Sequence, residues 1–474
     1  MIPRYTDKNI AELWQESTKV NGWQDTELAV LKAREEAGEI PAGTHATIAQ
    51  ALEANTCNLA WWKERENILH HDLNSWLEER MRFIPQELQQ YFHQGLTSYD
   101  TEESGFVRTL STSVGYINQL TQTLLITLKG QARKYCYIPM NKRTHGQEAE
   151  IGSFGCRCLT WHEEIRAAVE TLFSVANKNL RYSKLSGAIG NYSGVSPVIE
   201  KMALKLLYLQ PFYGATQIMP RVLYAPIASG LADLVSVLNK IAVDFRLGAR
   251  SGRVLYQEPF GKKQKGSSAM PHKKNTIHTE KIGGMARMAR GYAVALRENI
   301  ETWEERDIAQ SSVERVFWPD LFHVTAHALT TLNKVIDGMV VYPDHMTLEI
   351  VELKGCYASN EAKEFLTYHG ASVGLSREDS YRIVQLAAFS VHAPNLSFDT
   401  TLDDVWESSI EQVIRFAKLS THPDLETSPR EVSQWNSKLT MLFGNNDIRI
   451  KWSDVFKPER ALEREAFLFK EVFG

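Results

Sequence analysis

The stretch VLYAPIASGLADLVSVLNKIAVDFRL, residues 222–247, decides the fold class. Its apolar residues recur at steps of three and four, as at Ile227, Leu231, Leu234 and Phe245, which places them on one face of an α-helix. The opposite face carries few charges, so we expect this helix to be covered on most sides. At 1.5 Å per residue it would be about 39 Å long.

Similar periodicity marks further long helices, at 112–137, 156–180 and 317–339. Strand patterns are scarce, and long helices mostly without internal proline are typical of a bundle. We therefore predict a mainly α fold with a long central helical bundle. The polar loop at 93–100 and the proline-containing YPDH at 342–345 interrupt the helices. They divide the chain into three predicted domains: an N-terminal helical domain (1–110), the bundle with its functional loop (111–345) and a C-terminal helical domain (346–474).

Composition excludes several classes of protein. The 474 residues are 43% hydrophobic and 23% charged, which is typical of a folded chain. A net charge of −4 argues against non-specific nucleic-acid binding. Five scattered cysteines and an N-terminus without an apolar stretch favour a reducing compartment. The sequence contains no run of about eighteen apolar residues, so we expect no membrane span. We expect a cytoplasmic protein with no nucleic-acid or membrane partner. No metal or cofactor is predicted, since no His, Cys or carboxylate set has ligand spacing.

The segment GKKQKGSSAMPHKKNTIHTE, residues 261–280, is the most unusual part of the sequence. It holds five lysines and no acidic residue before Glu280, and Pro271 disfavours a helix before about Asn275. A solvated basic loop would explain a random lysine cluster. A phosphate-binding P-loop is excluded because Ser267 stands where that motif needs lysine, and no strand pattern precedes it.

Residues 266–275, GSSAMPHKKN, closely resemble the signature loop GSSxMPxKxNP of the fumarase/aspartase superfamily. The flanking EPF at 258–260, Gln264 and Glu280 look like the adenylosuccinate lyase branch. Other segments resemble that branch in the same order: Arg4-Tyr5, His71-Asp72, HQGLTSYD (93–100), RTHGQEAE (143–150), GAIGNYS (187–193), TQ (216–217), WEERDIAQSSVER (303–315) and GLSREDSYRIVQ (374–385). The resemblance spans residues 2 to about 390.

The resemblance implies β-elimination of fumarate from a succinyl-amine. Such a reaction needs a base, an acid for the departing nitrogen, and cations or amides for the developing dianion. Ser267 matches the base, and lysine charge, loop amides and the following helix N-terminus would stabilise its alkoxide. His145 is the preferred general acid, since histidine titrates near neutral pH. His71 would orient the substrate or a carboxylate, and Glu280 would join the site from the following helix.

The other matching residues are assigned to substrate binding. Lys273 and Asn275 match residues that contact the succinyl carboxylates, and Gln217 would hydrogen-bond the substrate. Thr97, Ser98 and Thr144 would supply hydroxyls for the substrate carboxylates. Asp72 belongs to the His-Asp pair, and His93 would contact phosphate or a partner loop. Tyr5 would pack beside the nucleotide. The phosphate ligands would be Arg4, Arg306, Ser311 and Arg315, since guanidinium groups bind phosphate as a fork.

A homotetramer with a shared multi-helix core, each site drawing on three chains, is also implied by the resemblance. The sequence departs from the family pattern at several positions: Tyr99 for a small residue, Thr276 for proline, Val222-Leu223 for Asp-Arg, and Glu304 and Gln310 for histidines. Three functions stay open. They are lyase activity on a succinyl-purine nucleotide, the same chemistry on a different succinyl-amine, and a non-catalytic nucleotide-binding scaffold. A surface-charge interpretation of Arg306 and Arg315 is also open.

Overall fold

The computed structural model describes residues 1–391, Gln412 and residues 426–474. The chain is mainly α-helical, as predicted. In chain order the first eight α-helices are α1 (Lys8–Leu13), α2 (Glu16–Glu36), α3 (Thr44–Glu53), α4 (Leu59–Leu69), α5 (Asp72–Met81), α6 (Ser98–Lys134), α7 (Phe154–Asn179) and α8 (Pro197–Leu206). The remaining described helices are α9 (Ala225–Gly248), α10 (Ile277–Glu298), α11 (Ala309–Asp337), α12 (Pro343–Glu352), α13 (Ser359–Gly370), α14 (Arg377–Ser390), α15 (Pro429–Phe443), α16 (Asn446–Val455) and α17 (Glu459–Phe473).

Short strands pair in three places. An antiparallel hairpin joins β1 (Pro139–Thr144) to β2 (Gln147–Ser153). The two-residue strands β3 (Tyr182–Ser183) and β4 (Gln210–Pro211) are parallel, and β5 (Tyr256–Gln257) pairs antiparallel with β6 (Val340–Val341). Because each of the described sheets has only two strands, the strands join neighbouring segments and do not form a sheet layer.

The chain divides into two compact units, each discontinuous in sequence. The first unit contains residues 1–126, 163–246 and 265–335. The second contains residues 127–162, 247–264 and 336–474. The three predicted domains remain a prediction, and within the third of them residues 392–411 and 413–425 lie outside the described residues.

Helix α9 is the apolar core element that its sequence predicts. Ile227, Leu231, Leu234 and Phe245 are all completely buried. The segment Arg221–Gly248 is long and apolar enough to cross a membrane by length and composition, but half of its most apolar window is buried inside the structure. The core helix of a soluble protein has the same properties, so this segment is explained by packing.

Helix α11 begins eight residues before the predicted start at 317, at Ala309, and runs through Pro319. The early turns were missed because their buried residues are polar. Gln310, Ser311 and Glu314 face inward and interrupt the apolar period. Since these turns carry several predicted site residues, the difference bears directly on function.

Candidate active site

Three residues at the start of α11 and in the turn before it are each held by another side chain of the first unit. Arg306 Nη1 donates to Gln217 Oε1 over 2.9 Å. Arg315 Nη2 donates to Asp72 Oδ2, also over 2.9 Å. Ser311 Oγ shares a hydrogen bond of 2.7 Å with the Tyr99 hydroxyl. We call Arg306, Ser311 and Arg315 the arginine cluster.

Tyr99 is the side chain that joins two members of this cluster. Its ring centroid lies 3.9 Å from Arg306 Cζ, within the range of a cation–π interaction. The residue is 7% exposed. Burial, aided by the Glu102 carboxylate, raises the pKa of Tyr99 to about 12, so the hydroxyl stays protonated at neutral pH. The Tyr99 side chain, which replaces a small residue of the family pattern, therefore lies directly against Arg306 and Ser311.

A cavity of about 320 Å³ opens beside the arginine cluster. Its walls combine aromatic rings with charges, among them Lys19, Trp23, Asp72, Tyr99, Glu102, Phe106, Ser311 and Arg315. Burial and the nearby Asp72 carboxylate raise the pKa of Glu102 to about 8. Burial also lowers the pKa of Lys19, although the Asp72 and Glu102 carboxylates oppose that shift.

Sequence reasoning missed Lys19 and Glu102 as cavity residues. The signal for Glu102 was its position three residues after Tyr99 at the start of α6, since residues three apart share a helix face. Lys19 lies 4.8 Å from the ring centroid of Trp23. Nothing in its sequence context distinguishes it from a solvent-facing lysine of an amphipathic helix.

The signature loop forms a tight turn around Ser267. The hydroxyl oxygen accepts hydrogen bonds from the backbone N–H of Ala269, at 3.3 Å, and of Met270, at 3.1 Å. Hydrogen bonds to a charged oxygen favour the charged form. A side chain at Gly266 would collide with the carbonyl oxygen of Lys273, which lies 1.9 Å from its Cβ position. The loop therefore needs glycine at 266 to close on itself.

The departure at Thr276 changes the start of α10 without leaving it unsupported. The Thr276 hydroxyl donates to Glu280 Oε1 over 3.3 Å, and Glu280 N–H donates to the Thr276 carbonyl oxygen over 3.0 Å. A proline at this position would have no hydroxyl to donate. Threonine thus fixes the carboxylate of Glu280, a residue that the sequence assigns to the site.

His145 lies at the tip of the β1–β2 hairpin, in the second unit. His145 and Gly146 have φ of 56° and 77°, as in the two-residue turns that match the twist of paired strands. Thr144 ends β1 immediately before them, and all three residues are exposed. The hairpin therefore presents the imidazole at a projecting turn.

His71 occupies the N-cap position of α5. Its Nδ1 accepts a hydrogen bond of 3.3 Å from Asn74 N–H, which leaves Nε2 to carry the proton of the neutral ring. The side chain is 43% exposed. Next to it, Asp72 binds Arg315, so the His-Asp pair meets the arginine cluster.

The loop 93–100 is fixed by buried carboxylates. His93 Nδ1 lies 2.7 Å from Glu27 Oε1. Burial opposes its charged form, but Glu27 raises the pKa of His93 overall. Asp100 accepts from Thr97 N–H at 2.9 Å and pairs with the buried Lys184 at 2.7 Å. The half-buried Thr97 and Ser98 are thus carried on a firmly held helix start.

The N-terminal segment lies against α11. Arg4 and Tyr5 belong to a short 3₁₀-helix, Pro3–Tyr5. The Tyr5 ring packs edge-on against His327, with centroids 5.3 Å apart, and Arg4 is exposed. Asp7 N–H donates to His323 Nδ1 over 3.0 Å, which anchors the segment.

The structure brings together only part of the predicted site. The arginine cluster, Gln217 and Asp72 are linked by direct hydrogen bonds in the first unit. Ser267, Lys273 and Asn275 belong to the same unit but do not line the described cavity. Within residues 1–391 and 426–474, no group of three or more His, Cys, Asp or Glu side chains could hold a metal ion.

Known proteins similar to this chain were identified by sequence and by structure. A family model described as "Lyase" matches residues 2–291. Adenylosuccinate lyase of Aquifex aeolicus is 35% identical over 402 residues, which cover 85% of this chain and 91% of the relative. Adenylosuccinate lyase of Deinococcus radiodurans is 33% identical over 446 residues, 93% of this chain and 100% of the relative.

Solved structures share the fold at lower identity. A fumarate lyase from Mesorhizobium superposes with a TM-score of 0.75 at 18% identity, covering 96% of this chain and 99% of the other. A β-carboxy-cis,cis-muconate cycloisomerase from Acinetobacter calcoaceticus gives a TM-score of 0.76 at 17% identity, covering 98% and 97%. These likenesses confirm the fold. The family model and the sequence relatives show that the chain belongs to the adenylosuccinate lyase family of the fumarase/aspartase superfamily.

Proposed function

We propose that this chain eliminates fumarate from adenylosuccinate, giving AMP, and from the succinyl-carboxamide ribotide of purine biosynthesis. The observation that carries the proposal is the arginine cluster. Arg306 Nε is buried and has no hydrogen-bond partner among the described residues, and Ser311 and Arg315 belong to the same cluster. An unpaired guanidinium N–H, together with a serine hydroxyl and a second arginine in the same cluster, suits a phosphate dianion.

The reaction begins with removal of a proton from the succinyl carbon next to a carboxylate. Ser267 is the base, and the N–H groups of Ala269 and Met270 that already point at its oxygen stabilise the alkoxide. The C–N bond then breaks, its electron pair goes to nitrogen, and His145 donates a proton there. AMP and fumarate are the products.

The remaining residues bind the substrate carboxylates and the nucleotide. Lys273, Asn275, Thr97, Ser98 and Thr144 neutralise or hydrogen-bond the carboxylates, where negative charge grows during the reaction. Glu280, held by Thr276, supports the signature loop, and His71 orients the substrate. No step needs a cofactor.

Each site draws on several chains of a homotetramer. Large apolar side chains are exposed on the long helices of the first unit, for example Ile126 (72%), Val294 (59%) and Val316 (53%). Such side chains on adjacent long helices favour burial against other helices. His145 is exposed and Ser267 is half-buried, each on its own turn, which leaves room for groups from another subunit. The tetramer works in the cytoplasm.

The direct test is incubation of the purified protein with adenylosuccinate while its absorbance is followed. We expect loss of substrate with equimolar fumarate and AMP. AMP should inhibit competitively and adenosine far more weakly, because only AMP carries the phosphate. Equal inhibition by AMP and adenosine would contradict a phosphate site.

A different succinyl-amine is the second candidate substrate. Tyr99 lies against the arginine cluster, and Val222-Leu223 replace two charged residues of the family pattern. If adenylosuccinate is not consumed while fumarate is released from another succinyl-amine, that candidate is correct. A protein that binds AMP but releases fumarate from neither class of compound would be a non-catalytic paralogue.

A further inference from the structure

Tyr99 stands at a position where the family pattern has a small residue, directly after Ser98 in the first turn of α6. A bulky ring at this point has two possible effects. It either fills space that a nucleotide needs, or it supports the groups that bind the nucleotide. The contacts of the ring and of the hydroxyl distinguish these alternatives.

The hydroxyl of Tyr99 acts on Ser311. The two oxygens are 2.7 Å apart, and both residues are buried. Ser311 is 4% exposed, and its hydroxyl would otherwise rotate freely. Either oxygen can donate in this pair. When Tyr99 donates, Ser311 accepts through one lone pair and its own proton is available to a ligand.

The ring of Tyr99 acts on Arg306. The guanidinium carbon lies 3.9 Å from the ring centroid, while Nη1 donates to Gln217. The ring and Gln217 therefore hold the guanidinium between them. The Nε edge stays unpaired, which is the edge that forms two parallel bonds with an oxyanion.

Tyr99 is itself held in place by a buried ion-pair network. Arg221 Cζ lies 5.9 Å from its ring centroid. Arg221 binds both oxygens of Glu314, at 2.9 and 3.0 Å, and donates to Glu103 over 2.9 Å. Because these two carboxylates both hold Arg221, its guanidinium cannot move without breaking buried charge pairs.

We propose that Tyr99 is a positioning residue of the phosphate subsite, which presents the free edge of Arg306 and the hydroxyl of Ser311 to the phosphate of the substrate. This inference rests on the proposed function, since it takes the arginine cluster as the phosphate subsite. In this role Tyr99 increases the affinity of the site for the nucleotide and does not obstruct nucleotide binding. The chemistry of elimination is not part of its role.

The test compares Tyr99→Phe, Tyr99→Ser and the control Tyr357→Phe. Tyr357 is a half-buried tyrosine of the second unit, and its hydroxyl donates to the Phe456 carbonyl oxygen over 2.6 Å, so its variant loses a hydrogen bond outside both the cluster and the Arg221 ion-pair network. Binding of AMP and adenosine is measured by calorimetry, and KM and kcat are measured with adenylosuccinate. Thermal melting identifies any variant that fails to fold.

We expect Tyr99→Phe to weaken AMP binding about 3–10-fold, the value of one hydrogen bond. Tyr99→Ser, which also loses the ring, should weaken it about 10–100-fold. KM should rise in parallel, and kcat should stay within about twofold. Adenosine binding should not change, and the Tyr357→Phe control should bind AMP as the wild type does.

Tyr99 would instead be an obstruction if Tyr99→Ser bound AMP as tightly as the wild type or more tightly. The proposal is also overturned if adenosine binding falls equally, or if the wild type does not bind AMP at all. A wild type that binds AMP without consuming adenylosuccinate overturns only the proposed function. The AMP affinities of the variants would then still decide the role of Tyr99.

Discussion

The arginine cluster and the signature loop hold their functional groups in different ways. In the cluster, each residue contacts a side chain from another element: Gln217, Tyr99 or Asp72. In the loop, the hydroxyl of Ser267 accepts hydrogen bonds from local amides, two and three residues further along the chain. The cluster is held by side chains of the same chain. Ser267 is half-buried, so a site of proton transfer around it needs additional residues to exclude solvent. Under the proposed function, this difference predicts that one protomer recognises the nucleotide and that groups from further subunits complete the site of proton transfer.

Replacing Ser267 with alanine should have the largest effect, because it removes the base and the two amides lose their acceptor. We expect turnover to fall by at least about 10³-fold, within the usual range for a lost general base, with AMP binding nearly unchanged. Single-turnover kinetics measures the loss. Ser268→Ala is the matched control, since the adjacent serine is exposed. A tenfold or smaller loss for Ser267→Ala would move the base elsewhere.

His145→Gln should cost about 10²–10⁴-fold in turnover, the scale of a lost general acid. The hairpin tip is exposed, so the substitution should not change the melting temperature. A leaving amine that is hard to expel needs protonation more than an activated amine does. The loss of turnover in His145→Gln should therefore be greater for substrates with the poorer leaving amine. If His71→Gln is the more damaging change, His71 is the acid instead.

Hybrid tetramers test whether the two regions come from different chains. Mixing Ser267→Ala and His145→Gln protein, after subunit exchange, should restore about a quarter of the wild-type activity if each site takes one residue from each of two subunits. Subunit exchange is verified with distinguishable tags. No recovery after confirmed exchange would contradict shared sites.

Arg306→Ala tests the cluster side of the comparison. Loss of a charge-assisted contact should raise KM for adenylosuccinate about 10–100-fold and change kcat less. Arg108→Ala is the matched control, because this arginine of α6 lies outside the cluster and forms an exposed ion pair with Asp25. A loss in kcat at constant KM would place Arg306 in the elimination step.

The two regions also differ in how well the sequence predicts them. The long helices follow from apolar periodicity, and the signature loop follows from its fixed residue types. The start of α11 does not follow from apolar periodicity, because Gln310, Ser311 and Glu314 are polar residues on the buried face. The sequence also does not predict that Lys19 and Glu102 line a cavity, since a charged residue on a helix is usually solvated. Pairings between distant segments, such as Arg315 with Asp72, depend on tertiary packing that no local pattern encodes.

Glu102 offers the smallest and most specific test, on stability. Its pKa is raised from 4.5 to about 8, so the folded chain binds this proton more tightly than the unfolded chain. Between those two pH values the wild type therefore loses stability as the pH rises. Glu102→Gln, which cannot ionise, should gain about 1–3 kcal/mol over the wild type at pH 9, less than the full shift would give because Lys19 loses a counter-charge.

The gain should shrink towards zero near pH 5, where both proteins carry an uncharged side chain at 102 in the folded state. Urea unfolding at both pH values measures it, and Glu53→Gln, at an exposed position on α3, is the control that should show no pH-dependent difference. A gain that is equal at pH 5 and pH 9 would show that Glu102 is not a proton-binding group of the folded chain. The cavity beside the arginine cluster would then carry a permanent negative charge, which would repel a phosphate and count against a phosphate subsite in the cluster.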